Sequence, residues 1–297
     1  MTPPEAGVKA RTTTGGESKA GAAPPPSQGV GEPRRSSSEE ETSAGGASRP
    51  ADGEPAVRLD HVSKRFGERT VLDDVTLDVA KGKAFCLLGR SGTGKSVLLR
   101  HLIGLVQPDG GHVFVEGRDI TTLKGRELGE VRKHMGFLFQ NAALFDSMSV
   151  GDNVAFPMRR HTDWPDDKIR ETAQQKLSAV GLEKDFDKMP GDLSGGMKKR
   201  AGLARAMALD PSVLLVDEPS AGLDPITAGE IDDLLVETKR TGATLIIVTH
   251  NIPSARVVGD DFGVLHEGRL LARGTIEDLD ASEEPLVQAF MRSQGGG

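Results

Sequence analysis

Eight consecutive residues, Gly89-Arg90-Ser91-Gly92-Thr93-Gly94-Lys95-Ser96, have the make-up of a phosphate cradle. Glycines let backbone amides close around an anion, the lysine carries positive charge to the β and γ phosphates of a nucleotide, and the final hydroxyl can ligate Mg²⁺. In a glycine-rich chain the bare pattern arises by chance in roughly a few of every hundred sequences, so its flanks must support it. They do: the apolar run Ala84-Phe85-Cys86-Leu87-Leu88 precedes it and Val97-Leu98-Leu99-Arg100-His101-Leu102-Ile103 follows. A buried strand would deliver the loop and a helix would leave it, with its positive end toward the phosphates.

Further along, Asp217 closes the apolar run Val213-Leu214-Leu215-Val216. At the carboxyl edge of a parallel sheet that carboxylate can hold Mg²⁺ through water, and Glu218 beside it can polarise the attacking water as general base. Asp217-Glu218 alone would read as a solvated exit from a strand; the phosphate loop turns the reading to catalysis. His250 follows the run Leu245-Ile246-Ile247-Val248, where it would reach the γ-phosphate and orient the water. A histidine at a strand end is more often structural, but its place after the Asp217 strand reverses that preference. The other six histidines show no metal-ligand spacing. For Phe66, in the polar stretch before the cradle, stacking on adenine and core packing both fit.

A second anion site is written at Ser194-Gly195-Gly196. The triplet alone is an ordinary turn, but the basic helical stretch Met197 to Ala206 follows it, so free amides and the Ser194 hydroxyl would face a phosphate at a helix N-terminus. One anion site is already supplied by Gly89 to Ser96. Two in one chain imply that each ATP is shared by two protomers, the helix of one facing the phosphate loop of the other.

The elements that must position these residues follow from periodicity. Val75, Leu77 and Val79 alternate with Asp74, Thr76 and Asp78, the period of a half-buried antiparallel strand. The continuous apolar runs at 84–88, 213–216 and 245–248 read instead as strands covered on both faces by helices. The expectation is an α/β fold, a parallel core joined by an antiparallel β edge. Residues from about 141 to 192 lack β-branched runs and place Ile169, Ala173, Leu177 and Val180 at helical spacing, so they predict an inserted helical lobe. Asp261 to Gly274 reads as a hairpin around Glu267-Gly268; its Asp261-Phe262-Gly263 resembles a kinase magnesium motif by coincidence, since the other kinase elements are absent. Glu284 to Met291 predicts a short helix with Leu286, Val287, Phe290 and Met291 on one side, packed on its own domain or docking a partner.

Composition sets the outer limits. The 297-residue chain has a formal net charge of -7, and residues 1–56 hold six basic and eight acidic residues, with Val8 and Val30 as their only larger aliphatics. Such a segment cannot bury enough apolar area to offset roughly 1–2 kcal/mol of backbone entropy per residue, so a disordered tail is expected. Residues 57–290 would form the folded domain and 291–297 a flexible end. The mildly acidic domain argues against a nucleic-acid-binding face. Cys86, the single cysteine, excludes an intrachain disulfide and reads as a buried thiol. Arg34-Arg35 does not open an export signal, because Ser36 to Glu41 follows where apolar residues would be needed; Ser36 to Ser38, beside acidic residues, could be phosphorylated, but solvated linker is the better reading. No apolar run approaches the ~18 residues of a membrane span, so the expected place is the cytosol.

With these motifs in order, residues 57 to 290 resemble the ATPase subunits of ABC transporters, and more closely the Mla/Mce lipid-transport branch, including the Mkl type. Gly92 to Val97, Phe139-Gln140-Asn141-Ala142-Ala143-Leu144-Phe145, Leu193-Ser194-Gly195-Gly196-Met197 through Arg205, and Val248-Thr249-His250-Asn251-Ile252 carry the likeness. The resemblance implies a P-loop nucleotidase with an antiparallel β subdomain and an inserted helical subdomain, using ATP and Mg²⁺. It implies nucleotide contacts from Gly89 through Val97, with Lys95 catalytic. Gln140 would join the γ-phosphate and Mg²⁺ to the helical lobe, and Ala221-Gly222-Leu223-Asp224 would cross the dimer interface. Met197, where most ABC proteins have Gln, suits this branch, whereas Arg160 stands where the branch usually has Glu. The implied assembly is a homodimer on the inner face of the membrane under two permease copies, working with Mce-type binding proteins, its cargo a phospholipid, sterol or other hydrophobic lipid. A regulatory ATPase that gates an envelope complex without moving cargo is the alternative. A DNA-repair or translation ATPase is disfavoured, since neither a long coiled coil nor a second cassette is present.

Overall fold

The computed structural model describes residues 53–293. Residues 1–52, with Arg34-Arg35 and Ser36 to Ser38, and residues 294–297 lie outside the described residues, so the expectations for them have no structural counterpart here. The folded part begins one residue before the expected boundary: Ala56 is buried, its N–H donates to the Val79 carbonyl at 2.8 Å, and its carbonyl accepts from the Glu116 N–H at 2.8 Å.

Two sheets form the frame. The first is antiparallel, order β2-β1-β4-β5, from β1 (Val57–Phe66), β2 (Arg69–Val79), β4 (Gly110–Val115) and β5 (Arg118–Asp119). Val75, Leu77 and Val79 are its buried face, as their alternation predicts. The second has the order β10-β9-β3-β8-β7-β6, from β3 (Ala84–Leu88), β6 (Met135–Leu138), β7 (Val213–Asp217), β8 (Thr244–Thr249), β9 (Asp261–His266) and β10 (Arg269–Gly274). Strand β2 thus belongs to a separate antiparallel sheet, the β subdomain that the resemblance implies; the parallel core has an antiparallel edge of its own in β10, the second strand of the hairpin around Glu267-Gly268.

The apolar runs explain why the second sheet sits in the middle. Along β3, Phe85 and Leu87 enter one core while Ala84, Cys86 and Leu88 enter the other; Val213 and Leu215 against Leu214 and Val216, and Ile246 and Val248 against Leu245 and Ile247, divide the same way. Strands apolar on both faces must be covered on both. The first sheet with α1 (Lys95–Leu102) and α2 (Gly125–Arg132) covers one face. The other is covered by α6 (Pro225–Arg240), α7 (Ile252–Val258), α8 (Ile276–Asp280) and α9 (Pro285–Ser293). Val287, Phe290 and Met291 of α9 are buried in that second core, so the helix packs on its own domain and the expected flexible end cuts through it; Leu286 stays exposed. Cys86 is fully buried, and burial pushes its thiol pKa far up, which leaves it inert.

Between β6 and β7 the chain forms the helical lobe from α3 (Val150–His161), α4 (Asp166–Ala179) and the outer face of α5 (Gly195–Ala206). Ile169, Ala173, Leu177 and Val180 are buried in it, as their spacing predicts. The loop leading into the lobe is pinned by Asn153, which is fully buried. Its Oδ1 accepts from the Phe145 N–H at 2.7 Å, and its Nδ2 reaches the carbonyls of Phe145 at 3.1 Å and Ser149 at 2.9 Å. Among the described residues no helix is long and apolar enough to cross a membrane.

Asn153→Ala leaves the Phe145 N–H without its partner and removes one of two donors from the Phe145 and Ser149 carbonyls, which should lower unfolding stability by on the order of 2 kcal/mol. Denaturant titration reads the loss, and hydrogen exchange should show the Phe145 amide opening well before the sheet. An unchanged midpoint with a protected Phe145 amide would refute the role given to Asn153.

Candidate functional site

The carboxyl ends of β3, β7 and β8 lie side by side, because Leu88 pairs with Thr249 and Asp217 with Val248. Parallel pairing thus delivers the loops after three strands to one edge, where α/β sheets bind ligands. The loop after β3 runs from Gly89 to Gly94 into α1. Two of its glycines are sterically required: a Cβ on Gly89 would lie 2.5 Å from the Leu265 carbonyl oxygen, and one on Gly94, at φ 105°, 2.6 Å from that of Val71. The cradle is pressed that closely against its surroundings.

Lys95 is 5% exposed and curls back over the loop, donating to the carbonyls of Gly89 at 2.7 Å and Arg90 at 3.0 Å. Its ammonium lies 3.6 Å from Glu218 Oε1, and burial lowers its pKa against the pull of that carboxylate. Ser96 Oγ donates to Asp217 Oδ1 at 2.9 Å, which sets two hard oxygens together at the mouth of the cradle. Such a pair fits Mg²⁺, which takes one or two protein oxygens and fills the rest with phosphates and water. Burial raises the pKa of Asp217 despite the hydrogen bond from Ser96.

Glu218 is buried at the end of β7. Its Oε2 lies 2.9 Å from His250 Nδ1, 3.3 Å from the His250 N–H and 3.2 Å from Thr249 Oγ1. The sequence assigns His250 to the γ-phosphate; the structure places its ring on Glu218 while it also lines the cavity. A cavity of about 290 Å³ opens here, lined by Ser91, Gly92, Gly94 to Val97, Gln140, Glu218 and His250, with Arg69 and Val71 at its far wall. Phe66 is half-exposed, held only 5.4 Å from the Lys64 ammonium, and lines neither this cavity nor a core. Arg69 is the residue that sequence reading missed on that side; its Nη2 donates to the Gly92 carbonyl at 2.9 Å. Thr249 was also missed, since nothing in its type marks it until β8 pairs beside β7.

Ser194, Gly195, Gly196 and Asp224 do not line this cavity. They form a second cluster on the surface, where the N-termini of α5 and α6 meet. Ser194 caps α5 by accepting from the Met197 N–H at 3.3 Å, and Asp224 caps α6 by accepting from the N–H groups of Ile226 and Thr227. The Thr227 hydroxyl and these amides hold the Asp224 carboxyl below the usual range. Gly196 is obligatory here, because a Cβ would sit 2.4 Å from Thr227 Cγ2. A third feature lies between β6 and the lobe: a groove of about 330 Å³ floored by Phe139, Phe145, Phe156 and Pro157, all beside the Gln140 loop. Arg160 is exposed at the end of α3, one residue before His161 on the rim of that groove.

A family model described as ABC transporter matches residues 72–221. A protein described as the probable ribonucleotide transport ATP-binding protein mkl of Mycobacterium leprae is 45% identical over 80% of this chain and 69% of its own length. The intermembrane phospholipid transport system ATP-binding protein MlaF of Haemophilus influenzae is 40% identical over 81% of this chain and 92% of its own. Among solved structures, the dimeric post-hydrolysis state of the ATP-binding cassette MJ0796 bound to ADP and Pi superposes with a TM-score of 0.69. It is 30% identical over 74% of this chain and 98% of that one.

The raised pKa of Asp217 carries a sign. Relative to the unfolded chain the folded one favours the protonated acid, so the group's contribution to stability is largest at low pH and is lost as pH rises through the folded pKa. At neutral pH the carboxylate is therefore a cost in the nucleotide-free protein. Asp217→Asn should raise the melting temperature of the free chain at pH 7, shrink that gain at pH 4, and still reduce Mg-dependent hydrolysis at least a hundredfold, an order of magnitude typical for a lost charge ligand. A lower melting temperature at pH 7 would show that the carboxylate is structural.

Proposed function

Because the chain belongs to the ABC transporter family, as one of its ATP-hydrolysing subunits, we propose that two copies enclose each Mg-ATP. The cradle of one copy then faces Ser194-Gly195-Gly196 of the other. The observation that carries this is the separation of the two anion sites: the Lys95 cavity and the N-terminus of α5 lie on different parts of one protomer, so neither alone surrounds a γ-phosphate. MJ0796, dimeric with ADP and Pi, supports the arrangement.

Within that sandwich, backbone amides from Gly89 to Ser96 and the Lys95 ammonium bind the β and γ phosphates. The entering anion gives Lys95 a better partner than the carbonyls it now holds. Ser96, Asp217 and, through its side-chain amide, Gln140 would hold Mg²⁺, which supplies charge neutralisation on the phosphate oxygens. Glu218 takes the proton of a water as its oxygen bonds to the γ-phosphorus and the bond to the β–γ bridging oxygen breaks, yielding ADP and phosphate. His250 holds Oε2 of that carboxylate, and Oε1, now beside Lys95, takes the water once the lysine turns to the phosphates. Asp224 and the loop from Ala221 lie on the face that meets the second copy, and Phe66 remains a candidate for adenine from the edge of β1.

Closure of the dimer would move whatever is seated in the aromatic groove of Phe139, Phe145 and Phe156. We assign that groove to a permease helix, which places the subunit on the inner membrane face. MlaF, named for intermembrane phospholipid transport, supports a phospholipid or related lipid as cargo, delivered through Mce-type binding proteins. The mkl relative is named for ribonucleotides, which makes cargo the point to test. ATP turnover of the subunit reconstituted with its permease should rise with phospholipid and stay flat with ribonucleotides; the reverse would overturn the lipid assignment. A permease gene beside several Mce-type genes is the matching genomic expectation, and an isolated gene favours a regulator.

Lys95→Ala should abolish tight ATP binding. Glu218→Gln should bind ATP, hydrolyse it at least a hundredfold more slowly and accumulate an ATP-bound dimer by size-exclusion chromatography. Efficient hydrolysis by a strict monomer with Ser194→Ala fully active would remove the sandwich.

A further inference from the structure

Glu218 occupies φ 46°, a left-handed conformation that a non-glycine residue keeps only where its surroundings enforce it. Three backbone contacts do so. Its N–H donates to the Val248 carbonyl at 2.9 Å, and its carbonyl accepts from the Ala221 N–H at 3.2 Å and from Lys199 Nζ at 2.8 Å. Lys199 comes from the second turn of α5 and is 5% exposed. Burial drops its pKa to about 8 against the attraction of Asp217 and Glu218, so the ammonium is held at a cost that an apolar side chain of similar length would not incur. Packing alone does not explain it.

The rest of α5 shows what the contact connects. Ala201 and Ala204 lie in the core of the helical lobe, and Leu203 lies in the core under the sheet. A Cβ on Gly202 would meet Ala142 Cβ at 2.9 Å, so the helix is also pressed on the loop that follows Gln140. Arg205 reaches the carbonyls of Ala142 and Ala143 at 2.8 Å each. The helix therefore cannot shift at its N-terminus without its neighbours responding, and Lys199 is its charged link to the end of β7.

We propose that Lys199 is a positioning residue: through the Glu218 carbonyl it sets where the base points, and it passes engagement of the Ser194 end of α5 on the partner's nucleotide to hydrolysis in its own protomer. The second half rests on the shared-nucleotide reading above. The first half needs only that Glu218 acts on ATP in its own cavity. No proton or bond changes hands at Lys199; its contribution is geometric.

The test uses the full chain with Mg-ATP and the variants Lys199→Met and Lys199→Arg. Lys199→Met should lower kcat about tenfold or more while KM for ATP stays within about twofold, the pattern of a contact that matters only in the transition state. Lys199→Arg, which keeps a buried donor and its charge, should recover most of that loss. Glu218→Gln combined with Lys199→Met should still form the ATP-bound dimer seen with Glu218→Gln alone. The proposal is overturned if Lys199→Met keeps kcat within twofold, or if both variants fall together, melt lower and lose ATP-dependent dimerisation, as a packing residue would. Were Glu218→Gln itself to stay monomeric with ATP, the shared-nucleotide reading and the link between protomers would fall, and the kcat comparison would still decide whether Lys199 places the base.

Discussion

The site depends on the parallel pairing of β3, β8 and β7. Backbone hydrogen bonding fixes Leu88 beside Thr249 and Asp217 beside Val248, so a lysine from one connection, a histidine from another and a carboxylate from a third arrive within bonding distance. Lys95 is held in part by the carbonyls of its own loop, but the meeting of the three side chains is not written in any one segment. Glu218 shows it best: Lys95 lies at one carboxylate oxygen and the neighbouring pair Thr249 and His250 at the other, and both are far from Glu218 in the chain.

That pairing is affordable because the strands are apolar on both faces. Alternate residues enter two separate cores, and each core is closed by its own layer, the antiparallel sheet with α1 and α2 on one side and α6 to α9 on the other. Burial of this kind stabilises by about 25 cal/mol per Å² of apolar surface and tolerates a polar edge where the strands end. The edge is where stability is given up. Lys95 and Lys199 are pushed toward losing their charge and Asp217 toward keeping its proton, all by burial. Because burial opposes the charged forms of these groups, a bound nucleotide that favours the charged lysines would stabilise the domain, so nucleotide binding and domain stability are linked.

The helical lobe joins this edge through both its ends. Asn153 pins the loop after Gln140 from inside α3, and α5 returns from the lobe to grip the end of β7 with Lys199. The aromatic groove, through Arg205 on its wall, and the Ser194 cap thus both belong to α5, the helix whose Lys199 holds the Glu218 carbonyl. Two discrete arrangements of such elements, not a continuous deformation, are how packed cores transmit change.

The glycine loop between a buried strand and a helix, the strand end at Asp217, the helix start after Ser194, the hairpin around Glu267-Gly268 and the helical lobe were all legible in the chain, because each is specified by neighbours within a few residues. Periodicity told buried strands from half-buried ones, and glycine spacing told a cradle from a turn. What it placed less well were contacts that exist only after strands pair. It ended the domain inside α9, did not show that the His250 ring meets Glu218, and had no signal for Thr249, Arg69 or Lys199. A lysine in a basic helical stretch looks solvated until the fold shows that its side of the helix faces a strand end. Local residue types determined which chemistry this protein carries; pairing partners distant in sequence decided which atoms meet, since hydrogen-bond register and burial are properties of the assembled layers and not of any one segment.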